Sequence, residues 1–340
     1  MERYDVIIAG VTGNVGQMLL QILEEYEFPI GRLKLLASRR SAGKVIAFKG
    51  QDHVVEELGG DSFDGYQLAF FCAGGSVSKE YAPIARSKGL VVIDNSSVWR
   101  QDPAIGLVVP EVNFEAAAKD PIVANPNCST IQCMLPLAAL NSAYGLKSVS
   151  YTTYQAVSGS GQGGCADLAV TREGGAPAFY PHNISETAIP EIDAFLENGY
   201  TKEEMKMVWE TRKILDLPEL PVSATCIRVP VMNGHGVNVV VELSAAFEVS
   251  NVLKVLSEAE GIAVLNNGPA HEYPTSTIAN GTDLVYVGRI RKDLAHPQRL
   301  LFYCVADNIR KGAATNAVQI ALKMLSAGLL PESREGAASC

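Results

Sequence analysis

Through the first third of the chain, short apolar runs alternate with segments whose apolar positions recur every three or four residues. The run "YDVIIAG" (4–10) is almost continuously apolar and predicts a buried strand. In "NVGQMLLQILEEY" (14–26), Val15, Leu19, Ile22 and Leu23 fall on one side of a helix. Further strands are predicted at "RLKLLAS" (32–38), "QLAFFCAG" (67–74) and "LVVIDNS" (90–96), with a helix through "KEYAPIARSKG" before the last. Nearly all-apolar strands alternating with helices predict a parallel sheet covered on both faces. The pattern changes after about residue 145. Partly alternating segments at 146–159, 236–249, 283–293 and 299–307 have fewer helices between them. They predict a second, α+β domain with a larger, mainly antiparallel or mixed sheet. The helix "EEMKMVWETRKILD" (203–216) is expected to lie on that sheet. A last helix, within "GAATNAVQIALKMLSAG" (312–328), resumes the spacing of the first domain and should return to it. The expected division is 1–127 completed by a helix at 316–330, and 128–315. The tail "PESREGAASC" should fray.

The bulk composition narrows the possibilities. A chain of 340 residues is longer than one hydrophobic core usually serves. Net charge is −9 and no Lys/Arg-rich block occurs, which argues against nucleic acid or an anionic membrane as partner. No apolar run approaches the roughly 18–20 residues of a membrane span, and "MERYDVIIAG" lacks a signal peptide's apolar core. A cytoplasmic protein is expected. The seven cysteines show no CxxC spacing, so no metal ribbon is expected and most should be reduced, core-filling thiols.

Two stretches carry chemistry. "AGVTGNVG" sets Gly10, Gly13 and Gly16 between the first strand and the first helix. Glycines there allow a tight turn and close approach of a phosphate, which the helix N-terminus attracts. The spacing is GxxGxxG, and tight strand–helix packing would also select it. After the second strand come Ser38, Arg39, Arg40 and Ser41, with no carboxylate to meet a ribose 2′-hydroxyl. Hydroxyls and guanidinium groups suit a 2′-phosphate, which favours NADP over NAD. The alternative is an exposed basic loop.

The other stretch is "VANPNCST" (123–130), where Cys128 opens a helix-like run. A thiolate at a helix start is stabilised by the dipole and by free N–H donors. Asn125 and Asn127 carry amides that can donate to a developing oxyanion, held by the intervening proline. Read from residues alone, Cys128 stands between a nucleophile and an ordinary helix start. Of five histidines only His235 lies between glycines, in "RVPVMNGHGVN", as a proton acceptor or a surface turn. Arg228 flanks an apolar segment, where a guanidinium wants an anion such as a carboxylate.

Taken together, "NSSVWR", "VVPEVN", "ANPNCST", "TYQAVSG", "IRVPVMNGHG" and "KGAATN" make the chain resemble the aspartate-semialdehyde dehydrogenases over nearly its whole length. "GVTGNVG" stands where that family more often has "GATGAVG"; the glycines are kept. The resemblance implies an N-terminal Rossmann-like dinucleotide-binding domain and a catalytic and dimerisation domain, hence a homodimer. It implies reversible NADPH-dependent conversion of L-aspartyl 4-phosphate to L-aspartate 4-semialdehyde and phosphate, toward lysine, threonine and methionine. Cys128 would carry a thioester, His235 would handle protons and Gln155 would orient the substrate. Asn127 would then be a collar poised for the oxyanion, less a helix cap. Arg228 would take the α-carboxylate and Glu203 the ammonium, while Arg100 and Lys206 would hold phosphate. Thr12, Gly13, Asn14 and Val15 would meet the pyrophosphate, and Ser38, Arg39, Arg40 and Ser41 the 2′-phosphate. Ser158 and Gly159 would lie near the nicotinamide and Asn316 near its carboxamide. N-acetylglutamyl-phosphate reductase is the nearest alternative, although its acylated amine needs no carboxylate such as Glu203. A hydrolytic aldehyde dehydrogenase would not need Arg100 and Lys206.

Overall fold

The computed structural model describes residues 3–332; of the tail expected to fray, 333–340 lie outside the described residues. The chain divides into two compact units. The first contains the chain up to Pro110, Phe114–Pro126 and the chain from Ala314 on; the second contains Glu111–Asn113 and Asn127–Ala313.

The first unit begins with β1 (Tyr4–Ala9), α1 (Asn14–Glu25) and β2 (Ile30–Ala37). A small hairpin, β3 (Val45–Phe48) and β4 (Gln51–Val54), precedes β5 (Glu56–Glu57). Next come β6 (Leu68–Phe71), α2 (Gly75–Ser87), β7 (Val91–Asp94), β8 (Gly106–Leu107) and β9 (Ile122–Ala124). The short helix between the last two strands, α3 (Pro110–Asn113), belongs to the second unit apart from its first residue. Seven strands form one sheet in the order β5-β2-β1-β6-β7-β9-β8, every neighbouring pair parallel. Ile7, Ile8, Phe70 and Phe71 are fully buried, as strands covered on both faces must be. Successive strands run outward on either side of β1, so the β1/β6 crevice is the switch point where such sheets bind ligands.

The second unit opens with α4 (Cys128–Tyr144), β10 (Leu146–Gln155), α5 (Gly161–Arg172) and α6 (Lys202–Ile214). It continues through β11 (Val222–Arg228), β12 (His235–Leu243), α7 (Val249–Ser257) and β13 (Ile262–Val264). It ends with α8 (Ser276–Ala279), β14 (Val285–Lys292) and β15 (Arg299–Ala306). Six strands make a mixed sheet in the order β11-β10-β12-β15-β14-β13. A π-helical turn, Arg310–Ala314, leads into α9 (Thr315–Ser326), whose Ala317, Val318, Ile320, Ala321 and Met324 join the core of the first unit.

Two departures from the sequence pattern bear on the second sheet. The strand expected to reach residue 249 stops at Leu243, and α7 starts at Val249. Val252 and Leu256 are its buried face, and the apolar run before it blurs the change of period. The other is β11, "VSATCIR", which the pattern did not predict because its apolar positions are mostly small.

The glycine turn after β1 is built by packing at two of its three glycines. Gly10 has φ +88°, and a Cβ there would sit 2.7 Å from the Ala73 nitrogen. A Cβ on Gly16 would lie 2.5 Å from the Gly10 carbonyl oxygen. At Gly13 the nearest atom would be 3.6 Å away, so the fold leaves room for a side chain. Gly10→Ala should therefore lower stability by about 2 kcal/mol or more. Gly13→Ala should cost less than about 1 kcal/mol, the scale of an N-cap change. Thermal denaturation of both variants checks this, and equal losses would refute it.

Candidate active site

Three residues separated by up to 80 positions converge because of strand direction. β10 and β11 run parallel with Gln155 paired to Arg228 at their common C-terminal end. β12 runs antiparallel to β10, pairing Tyr154 with Gly236, so its first residue, His235, lies at that same end. All three side chains are buried. The Arg228 Nη1 donates to the Ala156 carbonyl at 2.6 Å, and the guanidinium pairs with no carboxylate among the described residues. A Cβ on Gly159 would meet the His235 Nε2 at 3.0 Å and the Arg228 Nη1 at 3.1 Å. Glycine here leaves both groups open to something other than a side chain.

α6 is joined to this end through Glu203. Its N-terminus is fixed by a capping box in which Thr201 N–H donates to Glu204 Oε2 at 2.7 Å and Glu204 N–H to Thr201 Oγ1 at 3.3 Å. The other Glu204 oxygen accepts from Cys226 N–H on β11 at 3.0 Å, which holds helix to sheet. Glu203 Oε1 then accepts from Asn127 Nδ2 at 2.9 Å and from Gln155 Nε2 at 3.1 Å, while Lys206 Nζ reaches Oε2 at 3.1 Å. Burial pushes the Glu203 carboxyl up, but Lys206 and these amides outweigh it and hold it below the usual range. Burial likewise pulls the Lys206 ammonium down, and Glu203 and Asp193 reverse it.

The asparagine before the cysteine corrects the expectation of an oxyanion collar. Asn127 is the N-cap of α4: its Oδ1 accepts from Ser129 N–H at 2.9 Å and Thr130 N–H at 3.3 Å. Its Nδ2 is turned to Glu203, and its backbone N–H donates to Glu210 Oε2 at 2.6 Å. The first-turn donors expected to face the thiolate are thus partly taken up by the cap. Asn125 belongs to the first unit, where its Nδ2 donates to Asn95 Oδ1 at 2.8 Å. Cys128 is half-buried at the first position of α4.

His235 also departs from its expected part. The Ala156 N–H donates to Nδ1 at 3.0 Å, so Nδ1 carries no proton and the neutral ring bears its hydrogen on Nε2. Burial, with Arg228 beside it, holds the imidazole well below the ordinary histidine range. In this arrangement Nε2 is a hydrogen-bond donor and not the acceptor of a thiol proton.

Cofactor-binding expectations concern mainly the first unit. Gly13 caps α1 with no side-chain cap, leaving a helix start at the C-terminal end of β1 suited to a pyrophosphate at Thr12, Gly13, Asn14 and Val15. The room at Gly13 fits such a group. Beyond β2, Ser38, Arg39 and Arg40 are exposed, whereas Ser41 is buried. Asn316 is fully buried and its Nδ2 donates to Val108 O at 3.0 Å and Asn125 Oδ1 at 2.7 Å, so those hydrogens tie α9 to its own unit instead of meeting a cofactor amide. In the second unit, Ser158 Oγ accepts from Asn308 Nδ2 at 2.9 Å, and Gly159 faces His235 and Arg228 as described. Arg100 is buried in the first unit, with Nη2 donating to Asn95 O at 2.9 Å.

Comparison with known proteins gives the family. Residues 5–120 match the family description "Semialdehyde dehydrogenase, NAD binding domain", and residues 137–311 match "Semialdehyde dehydrogenase, dimerisation domain". The aspartate-semialdehyde dehydrogenase of Aquifex aeolicus (strain VF5) is 48% identical, over 96% of this chain and 99% of that protein. The chain belongs to the aspartate-semialdehyde dehydrogenase family. Among solved structures, aspartate semialdehyde dehydrogenase II complexed with ASA from Vibrio cholerae has a TM-score of 0.92 and 44% identity, covering 96% of this chain and 99% of that one. The enzyme with NADP from Candida albicans has a TM-score of 0.77 at 26% identity, covering 96% and 99%.

Within this family framework, sequence reasoning missed Glu210 and Asn308. Glu210 had a signal: Glu203, Met207, Glu210 and Ile214 share the buried face of α6, with carboxylates where apolar side chains are expected. Asn308 had none, since its bonds to Ser158 and Gly234 join distant loops.

The buried neutral imidazole carries a pH dependence. The unfolded histidine takes up a proton near pH 6.5 and the folded one does not, so stability falls as pH drops below about 6.5. The slope from this one group approaches about 1.4 kcal/mol per pH unit. Glu203, depressed when folded, adds its loss only below about pH 4.5. Denaturant melts between pH 7 and 5 should show His235→Gln losing less stability than wild type; parallel curves would contradict this.

Proposed function

We propose that the chain catalyses reversible reductive dephosphorylation of L-aspartyl 4-phosphate to L-aspartate 4-semialdehyde through a thioester on Cys128. The observation that carries this reading is the buried Arg228 guanidinium, with no carboxylate partner among the described residues, beside the Nε2 of His235 over Gly159. Such a cation wants the α-carboxylate of a small substrate. Glu203 suits the substrate's ammonium and Gln155 orients it. The Vibrio cholerae relative's complex with ASA supports the same substrate.

In the oxidative direction the Cys128 thiolate forms a C–S bond to the aldehyde carbon, and the carbonyl oxygen becomes an oxyanion. His235 meets that oxygen with its Nε2–H, a buried and preorganised donor. Asn127, as cap, holds the backbone that presents the thiol. Bound NADP supplies the hydride acceptor. The oxyanion adduct becomes the thioester as its C–H bond gives up hydride and the C=O re-forms. Phosphate, attracted by Arg100 and Lys206, then attacks the thioester carbon, and the C–S bond breaks to return the thiolate as the acyl phosphate forms. Thr12, Gly13, Asn14 and Val15 hold the pyrophosphate; Ser38, Arg39, Arg40 and Ser41 read the 2′-phosphate and give the preference for NADP. The first unit thus serves the cofactor and the second serves catalysis and a homodimer contact, in a step toward lysine, threonine and methionine.

The test is NADPH formation from aspartate semialdehyde with and without phosphate. Turnover is expected only with phosphate, and phosphate-independent turnover would favour a hydrolytic enzyme. Cys128→Ala should abolish turnover while NADP still binds; wild-type turnover in that variant would refute the mechanism. Arg228→Lys gives up the planar fork and should lower kcat/KM by roughly 10- to 100-fold, the equivalent of about 1.5–3 kcal/mol. An unchanged value would remove Arg228 from the carboxylate site. Equal catalytic efficiency with NAD and NADP would overturn the cofactor preference.

A further inference from the structure

The space that a side chain at position 312 would occupy is bounded by the cysteine. A Cβ built there would lie 3.1 Å from the Cys128 Cβ and 3.4 Å from its Cα, tighter than side chains ordinarily pack. Gly312 sits in the π-helical turn Arg310–Ala314, and its N–H donates to the Asp307 carbonyl, five residues back, at 3.0 Å. Single turns of this register are frequent at functional sites.

The turn is anchored more heavily than a five-residue segment requires. Asp307 Oδ1 accepts from the N–H groups of Ile309 at 2.9 Å and Arg310 at 3.1 Å. Arg310 grips Asp283 with two bonds of 3.0 Å. Lys311, fully buried, pairs its ammonium with Glu111 Oε1 at 2.6 Å. A buried ion pair adds little net stability, because desolvation offsets the attraction, but it fixes geometry. These anchors hold the residues that lead into Gly312.

We propose that Gly312 is a positioning residue for Cys128: the anchored turn brings a bare Cα against the cysteine and so sets where its sulfur points. The absence of a side chain lets the turn press close, and the ion pairs keep it from backing away. Misplacing a reacting group by about 1 Å can slow chemistry by about 100-fold, so a smaller shift in the nucleophile should have a smaller but readable effect. The proposal rests on Cys128 being the nucleophile, and part of its test reads out without turnover.

Gly312→Ala is expected to lower kcat about tenfold with KM within about twofold of wild type. NADP affinity should be unchanged, and iodoacetamide should alkylate the Cys128 peptide more slowly. A kcat within twofold of wild type, or a loss confined to KM or cofactor affinity, would overturn the proposal. The second measurement is a double-mutant cycle on Tm with Cys128→Gly. Gly312→Ala should lower Tm when Cys128 is present and leave it unchanged or raise it when position 128 is glycine. Equal losses in both backgrounds would mean the contact is not the cause. If Cys128→Ala keeps turnover the thioester reading fails, while this cycle still reports on the contact.

Discussion

A single buried carboxylate, that of Glu203, joins the elements that carry the chemistry. Left without partners in that position, a carboxylate would be costly by several kcal/mol. It is satisfied by Asn127 from the start of α4, Gln155 from the end of β10 and Lys206 from its own helix. Its demand for donors therefore specifies where α6 lies against the sheet and how the segment before Cys128 is held. Glu210, seven residues along the same face, repeats the device by accepting the Asn127 backbone N–H. The two glutamates clamp one asparagine, and that asparagine caps the helix that begins with the cysteine.

The remaining groups arrive through topology. Parallel pairing of β10 with β11 and antiparallel pairing with β12 bring Gln155, Arg228 and His235 to one end of the sheet. The backbone of Ala156 is shared between two of them, its N–H held by His235 and its carbonyl by Arg228. The backbone of one residue thus sets the imidazole's tautomer and aims the guanidinium, through the two peptide units that meet at Ala156. A cation beside a neutral donor suits a substrate with a carboxylate and an oxygen that becomes negative.

Much of the fold was legible because β1, β6 and β7 are nearly all apolar and α1 keeps a clear helical period. The glycine turn and the basic residues after β2 were legible for the same reason, since they punctuate regular elements. Less legible were features that depend on partners distant in sequence. Asn127 has a side chain suited equally to capping and to donating, and only the placement of Glu203 and Glu210 decides between them. His235 could be read as a base because its sequence gives no hint of the Ala156 N–H that occupies Nδ1. The strand carrying Arg228 was missed because its apolar residues are mostly small, and α7 was hidden by the apolar run that precedes it.

The central claim is that Cys128 carries the acyl group between hydride transfer and phosphate attack. Mass spectrometry of the protein mixed with aspartate semialdehyde and NADP, without phosphate, tests it most directly. The account predicts an acyl adduct on the Cys128 peptide that disappears when phosphate is added. NADPH formation with no adduct at Cys128, or an adduct that phosphate does not release, would contradict it.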